Sequence, residues 1–113
     1  MQGRSTDSAR NIARQAAALE ELGAFAIVLE CVPANLAREI SGNLRIPTIG
    51  IGAGAGCDGQ ILVLQDLLGM NTDIHPKFAR PFLNGARCIL ETLARFDEAV
   101  KAGTFPAGEE SYS

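Results

Sequence analysis

An α/β fold with parallel strands is predicted for this chain by three features: two unbroken apolar runs, a helix-patterned segment between them, and glycines that close the elements. Residues 24–29 read Ala-Phe-Ala-Ile-Val-Leu without polar alternation, the pattern of a strand covered on both faces by helices and therefore expected at the centre of a sheet. Residues 46–52 form a second buried strand. Between them Pro33 suits the first turn of a helix, where its missing N–H costs nothing, and Leu36, Ala37, Ile40 and Leu44 supply the buried stripe. Strand, helix and strand in this order make a βαβ crossover, expected to be right-handed with its strands parallel.

The flanking elements follow from the same periodicities. Asp7 or Ser8 could cap a first helix whose apolar positions Ile12, Ala16, Leu19 and Leu22 recur at helical spacing, with Gly23 as its stop. After the glycine-rich residues 50–59, the run Ile61-Leu62-Val63-Leu64 reads equally well as a third strand or a short buried helix. From Pro76 or Lys77 to Ala102 the positions Phe78, Phe82, Ile89, Leu93, Phe96 and Val100 predict a long amphipathic helix, bent at Pro81 or Gly85 and stopped by Gly103. Residues 104–113 read as an exposed tail. Two or three parallel strands leave unpaired sheet edges, so the pattern is that of part of a larger structure.

A chain of 113 residues, 47% hydrophobic, has room for one small core. Ten basic against thirteen acidic residues give a net charge of -3, which argues against a nucleic-acid binder, since such proteins present a basic face. Small-molecule or protein partners fit better. Cys31, Cys57 and Cys88 are odd in number and share no metal-type spacing with each other or with the one histidine, so a reducing, cytoplasmic setting is expected. No apolar run approaches the roughly 20 residues of a membrane-spanning helix, and the N-terminus is polar rather than a signal peptide.

Ligands of α/β folds bind at the carboxyl ends of the strands, which gives Glu30 first claim on chemistry. A carboxylate straight after an apolar run would be partly desolvated, and so raised toward the range in which it acts as a general base. The competing reading is a solvated or ion-paired glutamate at a strand end. Gly54-Ala55-Gly56-Cys57-Asp58-Gly59 matches the GxGxxG pattern of dinucleotide sites but lacks the full helix that such a site requires, so a tight loop approaching substrate or a neighbouring strand is the better reading. Asp66, Asp73 and His75 match no metal-ligand spacing and are read as loop and capping residues. Ser5, Thr6 and Ser8 have no histidine nearby in sequence, so no nucleophilic triad is supported, and Cys31 is read as a small buried hydrophobe.

Five motifs carry a family resemblance: Gln2-Gly3-Arg4, Val28-Leu29-Glu30-Cys31-Val32-Pro33, Ile46-Pro47-Thr48-Ile49-Gly50-Ile51-Gly52-Ala53-Gly54, Asp58-Gly59-Gln60-Ile61-Leu62-Val63 and Pro76-Lys77-Phe78. In this order and spacing, with Lys101 to Pro106 also similar to the family's end, the chain resembles ketopantoate hydroxymethyltransferase over nearly its whole length. The resemblance implies the C-terminal portion of a (β/α)8 TIM barrel of the phosphoenolpyruvate mutase type. Residues 1–113 would be one partial domain, the last three βα units and a long C-terminal helix, because a complete barrel takes about 250 residues. A truncated reading frame, an incomplete gene or a cut chain would each account for Met1 standing where the family sequence continues inward.

The resemblance further implies transfer of a one-carbon unit from 5,10-methylenetetrahydrofolate to the 2-oxo acid 3-methyl-2-oxobutanoate, with a magnesium ion and with Glu30 as proton acceptor. The family's metal ligands and substrate-holding lysine lie on earlier strands with no counterpart here, so no metal ligand is expected in this chain. That makes an inactive or assembly-dependent fragment the alternative. Homo-oligomers are implied too, since the family forms rings or stacked assemblies. Departures from the family pattern occur at Gln65, at Ala55-Gly56 and at Glu110-Ser111-Tyr112, and they bear on the loop contacts.

Overall fold

Helix α1 spans Thr6–Glu21 in the computed structural model, which describes residues 2–113. Its cap is Ser5, whose extended backbone lets Oγ accept from the Ser8 N–H at 3.3 Å. The cap expected at Asp7 or Ser8 is thus displaced: both lie inside the helix. Asp7 sits in the first turn, where its charge meets the positive end of the helix dipole, and Ser8 Oγ accepts from the Gly3 N–H at 3.0 Å. Leu22 closes the helix and Gly23 follows in the left-handed region at φ 95°, as the sequence predicts.

Strand β1 is shorter than the apolar run that announces it, covering Ile27–Glu30. The Ala24 N–H donates back to Leu19 O, so residues 24–26 complete the helix exit rather than a ladder. Along β1 burial alternates. Ile27 and Leu29 are buried while Val28 is 56% exposed, so the expected cover on both faces is absent among the described residues. After Pro33 comes α2, Ala34–Asn43, which buries Leu36, Ala37 and Ile40 at the spacing anticipated, and then β2, Thr48–Ile51.

Strands β1 and β2 are parallel, with Ile27 opposite Thr48 and Glu30 opposite Ile51. A third strand, β3, is only Gly59–Gln60 and lies parallel to β2 on its other side. The order β1-β2-β3 corrects the expectation for β1: it is an edge strand, and β2 is central. Residues 61–63 belong to neither a strand nor a helix. The ladder ends with the Ile61 N–H on Gly50 O, and the short helix α3 begins only at Leu64, ending at Leu67.

The core of this first unit, which comprises the residues up to Val63 with Pro76–Ala79, gathers Ala16, Ile27, Leu29, Val32, Leu36, Ala37, Ile40 and Ala53. Two polar devices fix its lower rim. Glu20 Oε1 accepts from the backbone N–H groups of Arg45 and Ile46 at 2.6 and 3.1 Å, tying the end of α1 to the entry of β2. Thr48, fully buried, bonds through its N–H and Oγ1 to Asp58 Oδ2 at 2.8 and 3.1 Å, and its hydroxyl lies 2.6 Å from Ser41 Oγ. A buried hydroxyl needs such partners, and these join three elements.

The second unit comprises Leu64–His75 and Arg80–Ser113 and contains the long helix α4, Gly85–Ala102. The start expected at Pro76 or Lys77 is therefore corrected to Gly85. Pro81 has no N–H to give and disfavours helical backbone at Arg80, while the Phe82 N–H donates to Leu67 O instead of to a preceding turn. The first N–H groups of α4 are satisfied by Leu68 O, Gly69 O and the capping Asn84 side chain. At the other end Gly103, left-handed at φ 72°, stops the helix as predicted. Residues 104–113 are largely exposed but ordered: Phe105 meets Phe96 edge-on at 5.4 Å, and Gly108–Glu110 form a 3-10 turn. The chain is thus α/β, with a small parallel sheet and a long C-terminal helix.

Candidate active site

The last residue of β1 is Glu30, at the carboxyl end of a parallel strand. Because side chains alternate along a strand, Glu30 shares with Val28 the face opposite Ile27 and Leu29, which pack into the helical core. The carboxylate is exposed, so the desolvation expected of it is not provided by the described residues. It borders a cleft of about 180 Å³ lined also by Gln2, Gln15, Leu19 and Val28.

Directly after Glu30 the backbone turns sharply. Cys31 has φ 52°, a left-handed conformation that costs a residue with a Cβ about 1–2 kcal/mol, and its N–H donates to Ile51 O at 2.9 Å. That bond extends the ladder one step past β1 and sets Glu30 against the end of β2. The sequence carries no signal for this turn, since cysteine is not a residue associated with positive φ.

The glycine loop after β2 is tight, as predicted, and it approaches both strand β2, through Asp58 on Thr48, and helix α2. A Cβ on Gly54 (φ 77°) would stand 2.5 Å from Ala34 Cβ, and one on Gly56 2.8 Å from Arg38 Cβ, so the loop lies on the first turns of α2. Gly52, at φ 64°, faces the ring of Phe78 at 2.9 Å from the same construction. Gln60 Nε2 donates to Gly54 O at 2.9 Å. Gly52, Gly54, Ala55, Cys57, Gln60 and Phe78 line a cleft of about 420 Å³. No full helix follows the loop, since α3 has four residues, so the context of a dinucleotide site is missing.

The remaining sequence candidates are not brought together. Asp66, in α3 and half-buried, accepts from Asn71 Nδ2 at 2.7 Å, Asp73 in the exposed loop that follows accepts from Thr72 Oγ1 at 3.3 Å, and His75 is exposed. Ser5 is a helix cap, Thr6 and Ser8 lie in the first turns of α1, and Cys31 is half-buried. Among the described residues no group of three or more histidine, cysteine, aspartate or glutamate side chains is placed to hold a metal ion. A magnesium ion therefore finds no fitting ligand set in these residues. Nor, among them, is any helix long and apolar enough to cross a membrane.

The parallel strands with helices packed on one face make this an α/β protein, a class whose ligands bind at the carboxyl ends of the strands, and Glu30 stands at one such end. The family model for ketopantoate hydroxymethyltransferase matches residues 1–108, and the chain belongs to that family. Relatives named 3-methyl-2-oxobutanoate hydroxymethyltransferase are 50% identical over 112 residues in Francisella tularensis (strain SCHU S4), 47% over 112 in Prosthecochloris aestuarii and 50% over 113 in Bdellovibrio bacteriovorus. These matches cover 99%, 99% and 100% of this chain but 42%, 40% and 43% of the relatives, so the chain spans less than half of their length.

Proposed function

We propose that this chain is the C-terminal part of a (β/α)8 barrel enzyme that transfers a hydroxymethyl group from 5,10-methylenetetrahydrofolate to 3-methyl-2-oxobutanoate, giving 2-dehydropantoate, with Glu30 as proton acceptor. The observation that carries the proposal is the placement of Glu30 at the carboxyl end of β1, on the side-chain face away from the helices. In a closed barrel that face points inward, where substrate sits and where a surrounding wall would supply the desolvation lacking here.

In this scheme the Glu30 carboxylate takes the proton from C3 of the 2-oxo acid. The resulting enolate carbon bonds to the one-carbon unit, whose two bonds to folate nitrogens break; one water supplies the hydroxyl oxygen of the product, and tetrahydrofolate leaves with the C3 proton and one water proton on those nitrogens. Magnesium, the Lewis acid of the complete enzyme, would have its ligands on strands outside these 113 residues. The enzyme would be cytoplasmic and homo-oligomeric, with small-molecule partners and no nucleic acid or membrane. Replacing Glu30 by Gln in the full-length enzyme tests the assignment. Deuterium exchange at C3 is expected to fall by about 100-fold or more, and unchanged exchange would overturn it.

A second reading has its own support. Val28 is 56% exposed on an edge strand, and the described residues hold no metal cluster, which fits a fragment active only after assembly with the rest of a barrel. Assaying the 113-residue chain with magnesium and the folate should give no turnover. Turnover without an added N-terminal portion would rule this reading out.

A further inference from the structure

We infer that Gln60 is a positioning residue for Glu30, acting through the glycine loop; the inference rests on the proposed role of Glu30. The loop is held near its end by Asp58 on Thr48, and elsewhere by three other contacts. On one side Gly54 and Gly56 lie against Ala34 and Arg38 of α2, the helix that begins four residues after Glu30. At its start Gly52 lies under the ring of Phe78. On the other side the Gln60 amide donates to Gly54 O.

Space for that amide is provided by the residue beside it. Gly50 is the register partner of Gln60, and a Cβ at Gly50 would stand 3.3 Å from Gln60 Nε2 and 3.0 Å from Cys57 Sγ. A side chain there would press on the latch. The loop in turn sets the end of β2, because Gly52 follows Ile51, whose carbonyl accepts from Cys31 N–H beside Glu30. Gln60 therefore reaches Glu30 through Gly54, the β2 terminus and Cys31.

Gln60→Glu keeps the size of the side chain but sets a carboxylate against the Gly54 carbonyl, so the latch opens. In the full-length enzyme the expected result is a kcat for C3 deuterium exchange lowered about 10-fold, KM within about 2-fold of its original value, and a near-unchanged melting temperature. The 113-residue chain gives a second readout. Amide exchange at Cys31 should speed up at least 10-fold in the variant, with Ile40 in α2 unchanged, whereas simple destabilisation would move both together. Should Glu30→Gln abolish C3 exchange while Gln60→Glu leaves both kcat and Cys31 protection intact, the positioning role is wrong and the base assignment stands. If the unsubstituted full-length enzyme exchanges no C3 proton, the base assignment falls and the positioning role with it, while amide exchange still decides whether the latch exists.

Discussion

Helices α2 and α4 are both amphipathic, yet they are held in opposite ways. The ten residues of α2 bury Leu36, Ala37 and Ile40 in a core shared with α1 and the sheet. In the eighteen of α4 only Gly85 is buried, and Ile89, Leu93, Phe96 and Val100 remain 44–58% exposed. What anchors the start of α4 is backbone: Phe82, Gly85 and Ala86 donate to Leu67, Leu68 and Gly69 carbonyls, and the chains approach so closely that a Cβ on Gly69 would overlap Leu83 O. An apolar stripe in a sequence thus tells which face of a helix is meant to be covered, but not by what.

The contrast can be broken by mutation. Leu36→Ala removes a buried side chain and should cost about 2–5 kcal/mol in chemical denaturation, the largest effect expected in the first unit. Gly69→Ala should cost about 2–4 kcal/mol, combining left-handed backbone at φ 67° with the overlap on Leu83, and should loosen α4 in amide exchange. Thr48→Val removes the hydroxyl shared by Asp58 and Ser41 but leaves the Thr48 N–H on Asp58 and the Ser41 hydroxyl on Ala37 O, for a loss of about 1–3 kcal/mol by the same denaturation measurement. Leu93→Ala should change stability by no more than about 0.5 kcal/mol in the monomeric chain. A loss matching that at Leu36 would show that the α4 stripe is covered in solution, and sedimentation velocity would then report a second copy.

Much of the first unit was legible because its elements obey period rules: α2 with its stripe, the parallel pairing across it and the glycine stop at Gly23 all follow from local pattern, as does the stop at Gly103 in the second unit. The departures have tertiary causes. An apolar run marks Ala24 to Ala26 as strand, but the Ala24 N–H is already taken by Leu19 O. Helical spacing carries Phe78 and Phe82 into α4, although Pro81 and the bond from Phe82 to Leu67 prevent it. At the candidate site, position relative to the strand picked out Glu30. Its supports were hidden, since the turn at Cys31 has no residue signature and the Gln60 latch spans a loop whose glycines suggest only tightness.

The alternation along β1 has a consequence for how the chain finds its register. If β1 slipped by one residue, Val28 and Glu30 would turn into the space now filled by Ile27 and Leu29. An unpaired carboxylate buried there would cost several kcal/mol, far more than the slip could recover by hiding Val28. The Glu30 charge is thus also a guard on assembly, which rejects the misaligned strand. Glu30→Gln or Glu30→Leu should weaken that guard, so a loss of activity in either must be separated from a fault in strand alignment by checking the Cys31 to Ile51 bond in amide exchange.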